Sequence, residues 1–185
     1  MAQEKEKVSA SRRIRLVTFL SMFVAVIAVC AQITVPMPSG VSFTLQTFAV
    51  ALCGYLLGAK YAAAALLVYM LLGAAGAPVF SAFQGGFHVL AGKTGGYLWG
   101  FLPMAALCGL AHLGKGRVLP YLWGLPGLMM CHLCGTLQNM FLAGGGFWAL
   151  LTVYSVPYLL KDALGLVAAA LLAQRLRPAL ERYFR

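Results

Sequence analysis

Between Glu6 and Glu181 the chain holds one carboxylate, Asp162. Around it the residues run in long apolar stretches: of 185 residues, 62% are hydrophobic and 10% are charged. A soluble domain carries about a quarter of its residues as charges, so this sequence reads as an integral membrane protein made of apolar helices. An ionised acid near the middle of a bilayer costs about 3 kcal/mol, and such residues face a partner, a cavity or a ligand. Asp162 is therefore the first candidate for function. The blander alternative is a helix start in water, where a carboxylate complements the helix dipole. Lys161 matches it in charge, but neighbours at i and i+1 diverge on a helix, so a direct pair is not expected.

The apolar runs predict an all-α membrane protein with six transmembrane helices, at residues 16–35, 44–59, 61–75, 94–113, 118–143 and 158–173. Pro36-Met-Pro38-Ser-Gly40 ends the first, because proline removes a donor and restricts the residue before it. No small-residue cleavage signal precedes Pro36, so this span reads as retained. Residues 80–93 form a glycine-bearing outer loop, and residues 147–156 cover only about 15 Å as a helix, too little to cross. Three regions result: a basic leader at 1–15, a membrane domain at 16–175 and a basic tail at 176–185. With both termini cytoplasmic, 12 of the 14 Lys and Arg residues fall inside and only Lys93 and Lys161 outside, as the positive-inside rule requires of short loops. A net charge of +10 thus reports topology and not nucleic-acid binding. The two outer lysines share Asp162's side; an anion beside two cations suits a ligand with its own carboxylate and hydrogen-bond donors, while snorkelling to the interface is the alternative for either lysine. On the first helix Ser21, Ala25 and Ala28 make a face of small side chains, suited to a partner helix or to internal packing.

Other chemistries are excluded by spacing. Cys131-His-Leu-Cys134 resembles half a metal site, with Cys108 and His112 as the other half, but antiparallel helices separate the halves by about 20 Å. No metal and no cofactor are expected. The thiols lie in apolar runs without a nearby cation to activate them. Gly92-Lys93-Thr94 has the tail of a phosphate-binding loop, but Phe87 stands where its first glycine belongs, and no serine sits in a nucleophile motif. The chain is expected to be no enzyme.

Four blocks, Thr44-Leu-Gln46-Thr47-Phe-Ala-Val50, Leu56-Leu-Gly58, Tyr69-x-Leu-Leu-Gly73-Ala-x-Gly76-x-Pro78-Val-Phe80 and Gly92-x-Thr94-Gly-Gly-Tyr97, resemble the biotin transporter family BioY. These are substrate-binding S components of energy-coupling-factor (ECF) transporters. The resemblance spans about residues 14–175. It implies the S-component fold and an outward-opening pocket for biotin. It also implies work with a T component and ATP-hydrolysing subunits, in a prokaryotic cell membrane that the chain crosses several times. The family's closing motif, roughly Pro-Phe-x-Pro-Gly-Asp-x-x-Lys, is matched by Pro157, Tyr158 and Asp162, but Lys161 stands at the glycine and Gly165 at the lysine. Lys93 likewise replaces the proline of Gly-Pro-Thr-Gly-Gly. Either Lys161 or Lys93 then takes the amine's role, neutralising the ligand carboxylate while Asp162 accepts from the ureido N–H groups. The resemblance further implies substrate contacts at Gln46, Gln84, Gly85, Gly86 and Tyr158. Phe80, Phe87, Tyr97, Trp148 and Tyr154 would cover the ring, with residues 80–97 and 147–162 closing over it. It assigns Ser21, Ala25 and Ala28 to the T-component seam. The alternatives are an S component for riboflavin or thiamine, an intramembrane thiol enzyme, and a purely structural membrane subunit.

Overall fold

The computed structural model describes residues 2–37, 41–111, 116 and 118–184. His112, part of the Pro36–Gly40 break and most of the Gly114–Arg117 turn lie outside the described residues. Eight helices dominate: α1 (Ala2–Gln32), α2 (Gln46–Leu57), α3 (Ala59–Ala74), α4 (Phe87–Ala91), α5 (Gly95–Leu110), α6 (Leu119–Ala143), α7 (Phe147–Tyr154) and α8 (Val156–Phe184). Arg13–Gln32 and Val156–Leu180 are long and apolar enough to cross a bilayer; Gln46–Leu57, Ala59–Ala74 and Gly95–Leu110 are apolar but shorter.

The helix boundaries follow local chemistry. Gly58 turns α2 directly into α3 with φ 78, a left-handed conformation that glycine takes without a steric cost. Beyond α1 the chain pairs with itself as a short ribbon, β1 (Thr34–Val35) antiparallel to β2 (Phe43–Thr44) with Thr34 opposite Thr44. The first helix therefore ends at Gln32, before the expected residue 35, and it begins at Ala2, ahead of the apolar run. The loop expected at 80–93 contains a single 3-10 turn, Ser81–Phe83, and α4.

α5 lies along α6, while α2 is packed between α5 and α8, and α1 rests on α2 and α3. Small residues allow the α5–α6 approach: a Cβ on Gly96 would strike the Cys134 carbonyl oxygen, and one on Gly100 would stand 2.7 Å from Cys131 Cα. Close backbone contact of this kind supplies dispersion where lipid removes any hydrophobic drive between helices. Tyr69, Phe80, Ile27, Leu66, Met104, Leu128 and Leu166 fill the interior. The exterior is also apolar, with Phe141, Leu160, Leu71 and Leu122 exposed. In water so extensive an apolar surface would drive association; against acyl chains it is the matching solvent-facing side.

Candidate functional site

One cavity of about 630 Å³, counting its open mouth, collects polar residues from four helices and three connections. β2 and the start of α2 contribute Thr44, Gln46 and Thr47; α5 contributes Tyr97 and Phe101; α6 contributes Cys131 and His132; α8 contributes Tyr158, Lys161 and Asp162. Phe80 and Ser81 approach from the loop after α3, and Val41, Ser42 and Thr94 from the other connections.

Asp162 is the electrostatic centre. It is 5% exposed, and its two oxygens meet different partners: Oδ1 lies 2.5 Å from Lys161 Nζ and Oδ2 lies 3.3 Å from His132 Nε2. The expectation that Lys161 would point away is corrected here. The helical rule concerns the directions of Cβ atoms, whereas a four-carbon stem carries the ammonium to its neighbour's carboxylate. Nζ also donates to the Thr44 carbonyl at 2.7 Å and sits 4.8 Å from the centre of the Phe43 ring. The lysine is thus anchored to β2 as well as paired, which fixes a buried charge at both ends.

Hydrogen bonds hold the remaining wall. Gln46 Nε2 donates to the Tyr69 hydroxyl at 2.8 Å, and that hydroxyl donates to the Val79 carbonyl at 3.0 Å. Gln32 reaches the same loop from α1: its Nε2 donates to the Phe80 carbonyl at 3.1 Å and its Oε1 accepts from the Phe83 amide at 2.8 Å. Between those two bonds Ala82 and Phe83 adopt φ 54 and φ 56, strained values for residues with a side chain. The loop is thereby folded tightly enough to press Phe80 into the wall. The Tyr158 hydroxyl donates to the Val41 carbonyl at 2.6 Å, and the Tyr97 hydroxyl donates to the Tyr154 carbonyl at 2.7 Å.

Of the residues singled out in the sequence, Asp162, Lys161, Gln46, Tyr97 and Tyr158 line this cavity. Lys93, next to the lining residue Thr94, is exposed and off the wall, as is Gln84. Phe87 and Trp148 are 65% and 76% exposed and are not part of the lining. Tyr154 acts through its carbonyl, and Gly85 and Gly86 shape the loop: the Gly86 amide donates to the Gly73 carbonyl at 2.6 Å, and a Cβ on Gly85 would strike the Ala77 carbonyl oxygen. On α1, Ser21 and Ala25 are exposed and Ala28 is half-buried against the core.

The sequence reading passed over His132 as a site residue, having met it only inside the Cys131–Cys134 pattern. Among the described residues no cluster of three or more His, Cys, Asp or Glu is placed to hold a metal. The better signal was periodic: His132, Thr136 and Asn139 recur at i, i+4 and i+7 and are all buried, a polar stripe on one face of an apolar helix.

Comparison with known proteins fits this geometry. A family model, the BioY family, matches residues 3–182. The "Biotin transporter BioY" of Thermotoga maritima is 43% identical over 157 residues, covering 84% of this chain and 92% of that protein. The "Probable biotin transporter BioY" of Pyrococcus horikoshii is 39% identical over 161 residues, covering 87% and 95%. A crystal structure titled as the S-component for biotin from an ECF-type ABC transporter superposes with a TM-score of 0.83 at 22% identity, over 95% of this chain and 98% of that one. A helical bundle of S-component fold with an apolar exterior and a polar small-molecule cavity defines a membrane protein of the transport class, and not an enzyme. The chain belongs to the BioY family.

Proposed function

We propose that this chain is the biotin-binding subunit of an ECF importer in a prokaryotic plasma membrane. It captures biotin from outside and delivers it with a T component and ATP-hydrolysing subunits. In this reading the chain crosses the bilayer six times, with both termini cytoplasmic, which agrees with the inside clustering of its basic residues. The names of the relatives support the ligand. The observation that carries the reading is the buried acid, amine and imidazole at the wall of one cavity.

Biotin offers two ureido N–H donors, a ureido oxygen, a sulfur-containing ring and a valerate carboxylate. Asp162 accepts from a ureido N–H. Because Lys161 Nζ lies 2.5 Å from that carboxylate, its amine belongs to the same polar end and donates to the ureido oxygen, so the valerate group falls to another residue. Lys93, exposed beside the lining residue Thr94, takes that role at the mouth. Tyr97, Phe101, Phe80 and Tyr158 enclose the apolar ring, and Gln46 fixes the floor. The loops bearing Gln84, Gly85, Gly86 and Phe87 and the helix bearing Trp148 and Tyr154 close above. Ser21, Ala25 and Ala28 form the seam with the T component, and lipid covers the rest of the exterior.

Isothermal titration of the purified protein with biotin, riboflavin and thiamine tests this. The expected result is saturable binding of biotin alone. Binding of either other vitamin with no response to biotin refutes it.

A further inference from the structure

At the cavity wall one buried polar atom, Nδ1 of His132, has no hydrogen-bond partner among the described residues, whereas Nε2 faces Asp162 Oδ2 and Asp162 Oδ1 is paired with Lys161 Nζ. A buried polar group without a partner beside a cavity gains a hydrogen bond from a guest that reaches it. Asp162 already has its place in the biotin reading. His132 does not.

The scaffold makes little use of the imidazole. Tyr97 meets it edge to face, with ring centres 5.9 Å apart, and the neighbouring Cys131 thiol donates elsewhere, to the Tyr97 carbonyl at 3.6 Å. A neutral imidazole has one donor and one acceptor nitrogen. Nε2, 3.3 Å from Asp162 Oδ2, serves as the donor, which leaves Nδ1 as a buried acceptor with nothing to accept. Two acceptors, the Asp162 carboxylate and His132 Nδ1, thus stand beside one donor, the Lys161 ammonium, on the residues that line the cavity, the carboxylate and ammonium already paired with each other. Two donors flanking an acceptor is the pattern of a cyclic urea. We infer that His132 is a ligand-contacting residue whose Nδ1 accepts the second ureido N–H. This makes it a determinant of selectivity for the intact urea over analogues blocked at one nitrogen. The inference rests on the biotin reading and adds a contact to it.

Amide substitutions separate contact from positioning. Asparagine sets its carbonyl oxygen near the place of Nδ1 but cannot reach Asp162, whereas glutamine reaches toward Asp162 and leaves the Nδ1 place empty. The full-length protein in detergent is titrated with biotin and with biotin acylated on one ureido nitrogen. His132→Phe is expected to weaken biotin about 10- to 30-fold, the loss of one hydrogen bond that leaves a ligand donor unpaired. His132→Asn should stay within about fivefold of the parent and His132→Gln should resemble the Phe variant. The acylated ligand should lose much less on going from parent to His132→Phe than biotin does, because the two changes delete one contact. The inference is overturned if Gln retains binding and Asn loses it, which is the order a positioning role requires, or if the two ligands lose equally. Should His132→Phe fail to fold, the order of Asn and Gln decides. Absence of biotin binding by the parent chain would instead remove the underlying ligand reading, and the inference with it.

Discussion

Replacing Asp162 by Asn separates the two jobs of its carboxylate, because stability and binding respond to different partners. In the parent, Lys161 has 16% of its side chain exposed and pairs with Asp162. After substitution its ammonium keeps only the Thr44 carbonyl at 2.7 Å and the Phe43 ring at 4.8 Å. Breaking a buried pair by removing one partner costs about 3–5 kcal/mol, and the two surviving contacts put this case near the lower end, about 3 kcal/mol. For binding, a charge-assisted hydrogen bond contributes about 1.5–3 kcal/mol net, or about 10- to 150-fold in Kd. Adding Lys161→Met removes the stranded charge and fills its space with an apolar chain. The double variant should therefore regain most of the lost thermal stability while biotin binding stays weak. Thermal unfolding in detergent, beside isothermal titration, reads both quantities on one preparation. A Kd for biotin within twofold of the parent in Asp162→Asn would refute the ligand role. Failure of Lys161→Met to restore stability would show that the ion pair does not organise the site.

The loop over the cavity and the outer face of α1 give two further outcomes. Gln32→Leu removes the two bonds that hold Phe80 and Phe83 and lets the strained turn relax. Bound biotin should then dissociate about tenfold faster in stopped-flow exchange, consistent with the loss of roughly one net hydrogen bond, while the melting temperature changes little. Ala25→Trp combined with Ala28→Trp should abolish uptake in cells carrying the complete importer, since bulk on a small-residue face keeps a partner helix away, and should leave detergent binding within about twofold; loss of both would assign that face to folding.

Much of the helical layout was legible because apolar runs ended at strong punctuation. The runs at 44–59, 61–75, 94–113 and 118–143 correspond to α2, α3, α5 and α6 within a few residues. The ribbon joining Thr34–Val35 to Phe43–Thr44 was not, because two-residue strands leave too short a pattern to register as alternation. Asp162 stood out through scarcity, a property of the whole sequence that survives ignorance of the fold. Its pairings did not. Lys161 was singled out for the ligand, but its direct pair with Asp162 was discounted by a rule about Cβ directions, and His132 was hidden by flanking cysteines that invited a test for metal and no test for a helical stripe. Aromatic type alone did not separate Tyr97, which lines the cavity, from Trp148 and Phe87, which stand on the surface. Both kinds occur in segments of similar composition, and only the helix rotation decides between them.

The distribution of buried polarity ties these findings together. Among the described residues Thr44, Gln46, Thr47, His132, Thr136, Asn139, Ser155 and Asp162 are the buried polar or charged residues, and five of the eight line the cavity around Asp162. Thr136 and Ser155 bond each other at 3.1 Å, and Ser155 also meets the Tyr97 hydroxyl at 3.1 Å, so this pair braces a cavity residue from behind. Helix packing in a bilayer does not need such groups, because small side chains such as Gly96 and Gly100 already bring the backbones together. Each buried polar group costs free energy until it is bonded. Their concentration around Asp162, with Nδ1 of His132 still unbonded, marks that wall as the place where a guest can complete hydrogen bonds, while the Asn139 side chain, also unbonded, lies off the cavity lining and apolar contact holds the rest of the bundle.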